Sequence, residues 1–367
     1  MQIYFFNQSK SLILLIKYWN QKYIFTNYDF KTVLTLKQKQ TMRSIISTSS
    51  NPHFNLATEE YLLKNSTEEI FLIYINEPCI VVGKHQNLLS EINLQFSLEN
   101  NIKLARRISG GGTVYQDYNN LNFSFIHNCA NLEQINFTKF TYPILEALRE
   151  MGLEVVFSGR NDLLIDSNKI SGNAMHIFKT RVLSHGTLLF DTDLNKLSES
   201  LKNNPHNYID KSIKSVRSKV INISNYLINT ISMEEFSQTL FKNIVSKSAN
   251  SIVKPITAQE SELINQISRD KFETWEWVFG YSPKYIFRNS FQLSAQMVSY
   301  ELHVEKGIIK HVVTNTDLLE DTVYRHAFDL LENVKHDYHT IYELLKCNKT
   351  INESTSLNIR TFCNNLF

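Results

Sequence analysis

Arg106-Arg-Ile-Ser-Gly-Gly-Gly-Thr-Val-Tyr-Gln-Asp117 sets three consecutive glycines just after a short extended run that ends in two arginines. Bare backbone amides in such a loop can face an anion, and Arg107 offers charge and a planar fork suited to phosphate or carboxylate. The Gly-Lys-Ser/Thr ending of a nucleotide-binding P-loop is absent, and so is Gly-x-Gly-x-x-Gly. A hairpin tip uses the same residues, so the loop alone admits both a flexible tip and a ligand cradle. Glycine is scarce elsewhere: of ten residues, eight fall between 83 and 186. Because glycine serves where backbone takes positive φ or lies close to a ligand, this clustering marks where a site belongs.

Two further pieces lie downstream. Ser158-Gly-Arg-Asn-Asp162 precedes a strand, and Asn168-Lys-Ile-Ser-Gly-Asn-Ala174 sets Lys169 beside the small residues Ser171, Gly172 and Ala174. Those leave space for a ligand and let an ammonium reach a cleft, although a turn lysine is more often solvated surface. Ser184-His-Gly-Thr187 interrupts an apolar strand with Gly186, which weakens a ladder unless backbone or ligand approaches closely. His185 suits a satisfied core histidine equally well. No Ser/His/Asp order with a nucleophile elbow occurs, and His and Cys spacing offers no metal site, so positioning and charge stabilisation are the expected chemistry.

Around these pieces the chain reads as a helix over Asn55–Lys64, then strands Ile70–Ile75 and Cys79–Val82 joined as a hairpin by Asn76-Glu-Pro78. Leu121–Phe125 alternates as a strand with one buried face, a helix over 138–151 stops at Gly152, and Leu163–Asp166 and Leu183–Phe190 are further strands. Met233–Lys247 has amphipathic spacing, Phe291–Val304 and Ile308–Val313 read as strands, and 317–334 and 338–346 as helices. Close-set strands without regular βαβ alternation predict an α+β fold: a mixed, largely antiparallel sheet with flanking helices, plus a smaller α+β C-terminal part. The polar stretch Ser248–Glu262 around Pro255 marks the boundary, giving a catalytic domain over 46–250 and an accessory domain over 259–367, with folded structure starting near Asn51.

The chain has 367 residues, 43% of them hydrophobic, with 38 Lys+Arg against 36 Asp+Glu. That length excludes a single small module, and a net charge of +2 argues against a dedicated nucleic-acid binder. No apolar run is long enough to span a bilayer; Leu12–Ile16 stops at Lys17. Cys79, Cys129, Cys347 and Cys363 are widely spaced, which suggests a reducing compartment. Residues 1–45 carry six lysines and Arg43 against Asp29 alone. Such an acid-poor basic leader fits mitochondrial import, and so the matrix; an ordinary lysine-rich terminus is the alternative.

Taken together, the motifs resemble the lipoate-protein ligase and lipoyltransferase family, part of the biotin and lipoate ligase group. The likeness rests on Phe54-Asn-Leu-Ala-Thr-Glu-Glu60, Val82-Gly-Lys-His-Gln-Asn87, Leu104-Ala-Arg-Arg-Ile-Ser-Gly-Gly-Gly-Thr-Val-Tyr115 and Gly159-Arg-Asn-Asp162. Lys169-Ile-Ser-Gly172, His185-Gly-Thr-Leu-Leu189, Ser215-Val-Arg-Ser218 and Trp275-Glu-Trp-Val-Phe-Gly280 complete it in the family's order. It implies a biotin/lipoate ligase catalytic fold that holds lipoyl-AMP, or lipoyl-GMP, and passes the lipoyl group to a lysine. The acceptors it implies are lipoyl domains of 2-oxoacid dehydrogenase E2 subunits and the glycine cleavage H protein. Lys169 matches the family's essential lysine, with its ammonium bridging acyl carbonyl and phosphate. Arg107, Ser109, Gly110, Gly111, Gly112, Thr113, Val114 and Tyr115 would border the lipoyl and nucleotide parts. Arg160, Asp162, Ser171, Gly172, His185, Gly186, Thr187 and Arg217 would border the nucleotide side. Ile80, Val81, Val82 and Val114 are available to line an apolar slot, or to be plain sheet core.

Gln116 and Asn119 depart from the family's usual His and Gly; Gln116 cannot titrate, whereas Asn119 tolerates a turn. The basic leader, His85-Gln-Asn87 and Gly112-Thr-Val-Tyr115 look most like the animal mitochondrial lipoyltransferases, so transfer from an activated donor or from lipoylated H protein is the first expectation. Arg217 within Ser215-Val-Arg-Ser218 resembles bacterial ligases, which use ATP and magnesium to activate free lipoate. A non-catalytic lipoyl-domain binder is the third reading. A monomer without a resident metal is expected.

Overall fold

The computed structural model describes residues 41–367 apart from 130–136, 160–161, 203, 249, 294–295, 316–321 and 355. In chain order the strands are β1 Met42–Ile46, β2 Glu69–Ile75, β3 Cys79–Val82, β4 Lys103–Arg106, β5 Val114–Gln116, β6 Asn120–Asn128, β7 Val156–Ser158 and β8 Asp162–Ile165. They continue as β9 Asn168–Ser171, β10 Asn173–Phe178, β11 Arg181–Leu189, β12 Tyr208–Asp210, β13 Ser251–Val253, β14 Tyr285–Leu293, β15 Gln296–Glu305 and β16 Ile308–Thr314. The helices are α1 Pro52–Asn65, α2 Leu94–Glu99, α3 Phe137–Glu150, α4 Leu194–Ser200, α5 Met233–Lys247 and α6 Ala258–Ile267, then α7 Thr322–Asp329, α8 Tyr338–Cys347, α9 Lys349–Asn352 and α10 Ile359–Asn365.

The strands form a six-stranded sheet, β10-β11-β6-β2-β1-β13, a four-stranded sheet, β12-β14-β15-β16, and two three-stranded sheets, β4-β3-β5 and β7-β8-β9. Pairing is antiparallel except at β1/β2, β1/β13 and β3/β4, so the α+β, mixed and largely antiparallel expectation holds. One face of the six-stranded sheet carries Phe71, Phe123 and Phe125 into a core with Ile144 and Leu148 of α3 and Phe236 and Leu240 of α5. Burying an aromatic side chain of this kind stabilises by about 2–3 kcal/mol. α5 occupies the expected residues because a capping box, Ser232 with Glu235, satisfies its first amides.

The hairpin expected from β2 and β3 does not form. Both edges of β2 are taken, by β1 and β6, so the chain leaves the sheet at Asn76-Glu77-Pro78 and β3 starts another between β4 and β5. The buried Asn76 amide anchors this corner, accepting from Asn55 Nδ2 and donating to Gln116 Oε1 at 2.8 and 2.7 Å. The single strand expected over Phe291–Val304 is two antiparallel strands, β14 and β15. The start of the helix expected over 317–334 lies outside the described residues, and α7 ends at Asp329. β6 is longer than expected and buried on both faces: Leu121, Phe123 and Phe125 enter the core, while Asn120, Asn122 and Ser124 are buried on the other side.

Folded structure also begins earlier than the sequence suggests. Residues 1–40 of the expected leader lie outside the described residues, but Met42–Ile46 is an inner strand and belongs to the fold. Arg43, counted there with the leader's charge, is buried and grips Glu260 with both terminal nitrogens at 2.6 and 2.8 Å, besides donating to the carbonyls of Lys254 and Pro255. The stretch around Pro255, read as a boundary, therefore carries a strand partner and a helix cap of the main sheet. Further on, the four-stranded sheet and α7–α10 share one apolar core with Ile80, Val82 and Tyr115, and the chain from Thr41 to Phe367 is one compact unit.

The Arg43 guanidinium holds the Glu260 carboxyl down at about 2. A carboxylate with a depressed folded-state pKa stabilises above its unfolded value and loses that contribution as pH falls towards the folded one. Glu260→Gln should therefore lower the urea midpoint at pH 7, with the gap to wild type narrowing below about pH 4.5. A gap that stays constant across the acid range would show that the pair's charge contributes nothing.

Candidate active site

Arg107, at the end of β4, decides the shape of the glycine loop. Its Nε donates to Ser109 Oγ at 3.0 Å, Nη1 to the Val81 carbonyl at 3.1 Å, and Nη2 to the carbonyls of Gly110 and Gly112, each at 2.7 Å. Instead of the expected fork for an external anion, the guanidinium grips the loop's own oxygens. A trans peptide holds C=O and N–H in opposite directions. Turning these carbonyls inward therefore turns the N–H groups of Gly111 and Thr113 away from Arg107. Thr113 N–H duly donates to Ser215 Oγ at 2.9 Å, on the wall of a cavity. Gly111 takes φ +89°, and a Cβ on Gly83 would stand 2.1 Å from the Gly111 carbonyl oxygen, so the two backbones touch because both residues lack side chains.

Lys169 is presented by a tight hairpin. Asp166 and Ser167 both have positive φ, 47° and 62°, between the paired residues Ile165 and Asn168, a primed turn without the usual Asn-Gly. Segment 219–221 fixes the lysine backbone: Lys169 N–H donates to Lys219 O and Ile221 N–H to Lys169 O, at 3.0 and 3.1 Å. The ammonium lies 3.0 Å from Asp162 Oδ1, with both side chains partly open to solvent. A Cβ on Gly172 would lie 3.8 Å from Lys169 Nζ, so the missing side chain keeps the space beside the ammonium clear.

Two cavities, of about 390 and 740 Å³, share a stretch of wall that includes Lys169, Gly172, Thr113, Val114 and Thr187. The smaller continues past Arg107, Gly111, Gly112, Asp162, His185 and Gly186 to Leu56, Tyr74, Val81 and Asn122. The larger takes in Tyr115, Ser171 and Arg217 together with Leu194, Leu197 and Leu201. Lys169 thus faces the same space as the glycine loop. Ser109 and Gly110 act behind the wall through Arg107, and Arg160 lies outside the described residues. Val81 and Val114 face the smaller cavity, whereas Ile80 and Val82 point from the other face of β3 into the C-terminal core. Arg217 is exposed, and its Nη2 donates to the Leu201 carbonyl at 3.1 Å.

Asn122 on the wall, Ser215 and Glu59 have no individual role assigned from the sequence, although Ser215 and Glu59 lie within motifs quoted above. Asn122 Nδ2 is a buried donor without a hydrogen-bond partner, on the wall of the smaller cavity. Ser215 ties three segments, receiving from Gln86 Nε2 at 3.1 Å and from Thr113 N–H while donating to Glu91, whose carboxyl is raised by burial. Glu59, on α1, is fully buried and accepts from Tyr74 and Ser124. The asparagine and serine of β6 were legible only as the polar half of an alternation, which on an ordinary strand faces water.

Fold and site together describe a mixed α+β protein in which one lysine and a glycine loop face two adjoining cavities. The model of the lipoyl protein ligase A/B catalytic domain matches residues 51–245. Lipoate-protein ligase 1 of Staphylococcus aureus is 40% identical over 298 residues, covering 81% of this chain and 90% of its own length. Among solved structures, P. falciparum LipL1 in complex with lipoate is 26% identical with a TM-score of 0.56, over 88% of this chain and 98% of that one. Lipoate-protein ligase A bound with ATP is 25% identical with a TM-score of 0.55, over 66% of this chain and 99% of that one. The chain belongs to the lipoate-protein ligase A family.

The contact between Gly83 and the glycine loop can be tested by adding one methyl group. Gly83→Ala must push the Gly111 carbonyl aside and should cost about 1–3 kcal/mol in urea unfolding. Gly110→Ala, where a Cβ would have no atom within 4 Å, should stay within about 0.5 kcal/mol of wild type. Equal effects would mean that the close approach does not constrain the loop.

Proposed function

We propose that this chain is an ATP-dependent lipoate-protein ligase that performs both activation and transfer. The observation that carries the reading is Lys169 standing where a smaller, partly apolar cavity adjoins a larger one with Arg217 on its wall. The smaller space suits a short acyl chain, the larger a nucleotide, and the ammonium faces the point where an acyl phosphate would join them. The first expectation, transfer only, gives way to its alternative because relatives over most of the chain's length are named ligases and a related ligase holds ATP. A nearness to the animal mitochondrial transferases gains no support from these bacterial and protozoan relatives.

In the first step a carboxylate oxygen of lipoate bonds to the α-phosphorus of ATP while the bond to the bridging oxygen breaks and pyrophosphate leaves. In the second, the deprotonated amine of an acceptor lysine bonds to the acyl carbon, and the anhydride C–O bond breaks to release AMP. Lys169 balances the charge that grows on the acyl and phosphate oxygens in both steps, and Asp162 holds it in place beforehand. The outward N–H groups of the glycine loop add fixed dipoles on the same side. Among the described residues no three His, Cys, Asp or Glu gather, so a magnesium ion accompanying ATP would be held chiefly by the triphosphate. The acceptors are lipoyl domains of E2 subunits and H protein. Placement in the mitochondrial matrix remains part of the proposal, on the strength of the basic stretch ahead of Met42.

The deciding experiment incubates the chain with apo lipoyl domain and either lipoate plus MgATP or preformed lipoyl adenylate, then weighs the acceptor. Mass gain is expected from both. Gain from the adenylate alone selects the transferase, and gain from neither leaves the binder or transfer from lipoylated H protein. Lys169→Ala should lose about two to three powers of ten in both steps, equivalent to roughly 3–4 kcal/mol, with folding intact. Near-normal turnover in that variant removes the role given to the lysine.

A further inference from the structure

Behind the glycine loop runs a line of hydrogen bonds that meets the smaller cavity only at Arg107 and His185, while Ser109 and Glu59 line neither cavity. Arg107 Nε donates to Ser109 Oγ at 3.0 Å, Ser109 Oγ meets His185 Nε2 at 2.6 Å, and His185 Nδ1 meets Glu59 Oε2 at 2.8 Å. Glu59 and Ser109 are wholly buried and His185 nearly so. The other Glu59 oxygen already accepts two hydroxyl protons, from Tyr74 and Ser124. A carboxylate serving as acceptor three times requires Nδ1 to carry the imidazole proton, which leaves Nε2 as the acceptor for the Ser109 hydroxyl. Ser109 then has a lone pair for Arg107. Every donor in the line points towards Glu59.

A glutamate, a histidine and a serine in this order resemble a nucleophilic triad, but the serine cannot act as one. It lines neither cavity, and its oxygen already receives the Arg107 proton. We propose that Glu59, His185 and Ser109 are positioning residues: a polarised relay, anchored in α1 and β11, that holds the Arg107 guanidinium on the Gly110 and Gly112 carbonyls and so sets the shape of the glycine-loop wall beside which the acyl phosphate would lie. The relay rests on the ligase reading for its effect on the reaction, whereas its proton arrangement stands independently of it. It also explains how an arginine without a carboxylate in contact is balanced in charge. The nearest buried anion is Glu59, and two intervening side chains pass its field along.

Two measurements test the relay. In the first, full-length chain labelled with ¹⁵N in histidine and glycine is examined by NMR at pH 7.5, with His185→Gln supplying the assignment. His185 should show a protonated Nδ1 and an unprotonated Nε2. The glycine-loop amides should move in Ser109→Ala and His185→Leu and return towards wild type in His185→Gln, which keeps one donor and one acceptor. The opposite tautomer, a doubly protonated ring, or unmoved glycine amides would overturn the proposal even if wild type proved inactive. In the second, transfer from preformed lipoyl adenylate is followed in the same variants. Ser109→Ala and His185→Leu should each raise KM for the adenylate about 10–100-fold, as supporting residues around a site typically do, with saturating kcat much less affected. The double variant should be no worse than the poorer single one, since both break one line. Additive losses, or losses in kcat with KM unchanged, would count against positioning. A wild type with no transfer at all defeats the ligase reading, not the relay.

Discussion

Two adjacent buried arginines hold this structure together, and neither touches a carboxylate among the described residues. Arg106 ends β4 and Arg107 follows it directly, and their side chains turn to different partners. Arg106 donates to the carbonyls of Gly83, Gln86 and Val278 and to Ser282 Oγ, while Arg107 donates to those of Val81, Gly110 and Gly112. Burial lowers both guanidinium groups to about 10, which still leaves them charged at neutral pH. The fork of donors suits this duty and a lysine would not replace it, because one ammonium cannot reach carbonyls on separate segments. Removing a buried charge from water is costly, so the bonds must all form together. That cooperativity makes the loops on either side of β4 one rigid unit.

The C-terminal part is drawn into the same constraint. Arg106 binds the 277–282 segment, and Trp277 returns a hydrogen bond from Nε1 to the Arg106 carbonyl at 2.7 Å. Ile80 and Val82 on the back of β3 pack in the core that holds Phe287, Leu302 and Phe328. Because β3 alternates, its front residue Val81 lines the smaller cavity while its back residues belong to the C-terminal core. On this strand the smaller cavity and the C-terminal core lie on opposite faces, and Arg106 ties the C-terminal part to Gly83 and Gln86 through their carbonyls.

What the sequence disclosed follows from the same geometry. Clustered glycines marked the site because close backbone approach and positive φ leave a residue-type signature, and Gly83 and Gly111 have those reasons in the structure. Met233–Lys247 was readable because a capping box and an amphipathic face are both local. The hairpin at Asn76–Pro78 was misread because a turn signal does not reveal that both edges of β2 are occupied by strands distant in sequence. β1 was hidden in a basic stretch, and only Glu260, more than two hundred residues later, explains why Arg43 is buried there. Arg107 lines the smaller cavity, but its orientation was not legible from the sequence, since an arginine beside glycines can hold a ligand or hold the loop.

The same distinction separates Arg107 from Lys169 in the pocket. A charge that works on a developing anion must not already be saturated by the protein. Arg107 is committed to backbone oxygens on the fold's side of the glycine loop. Lys169, by contrast, forms one ion pair among the described residues, with Asp162, and has partial exposure and a glycine where a side chain would have stood beside it. Its backbone is clamped by 219–221 while its ammonium can exchange one oxygen for another as substrate arrives. Division of labour between a guanidinium that builds the wall and an ammonium that faces the space follows from their chemistry: the planar fork suits fixed carbonyls, and the compact point charge on a flexible stem suits a target that changes during the reaction.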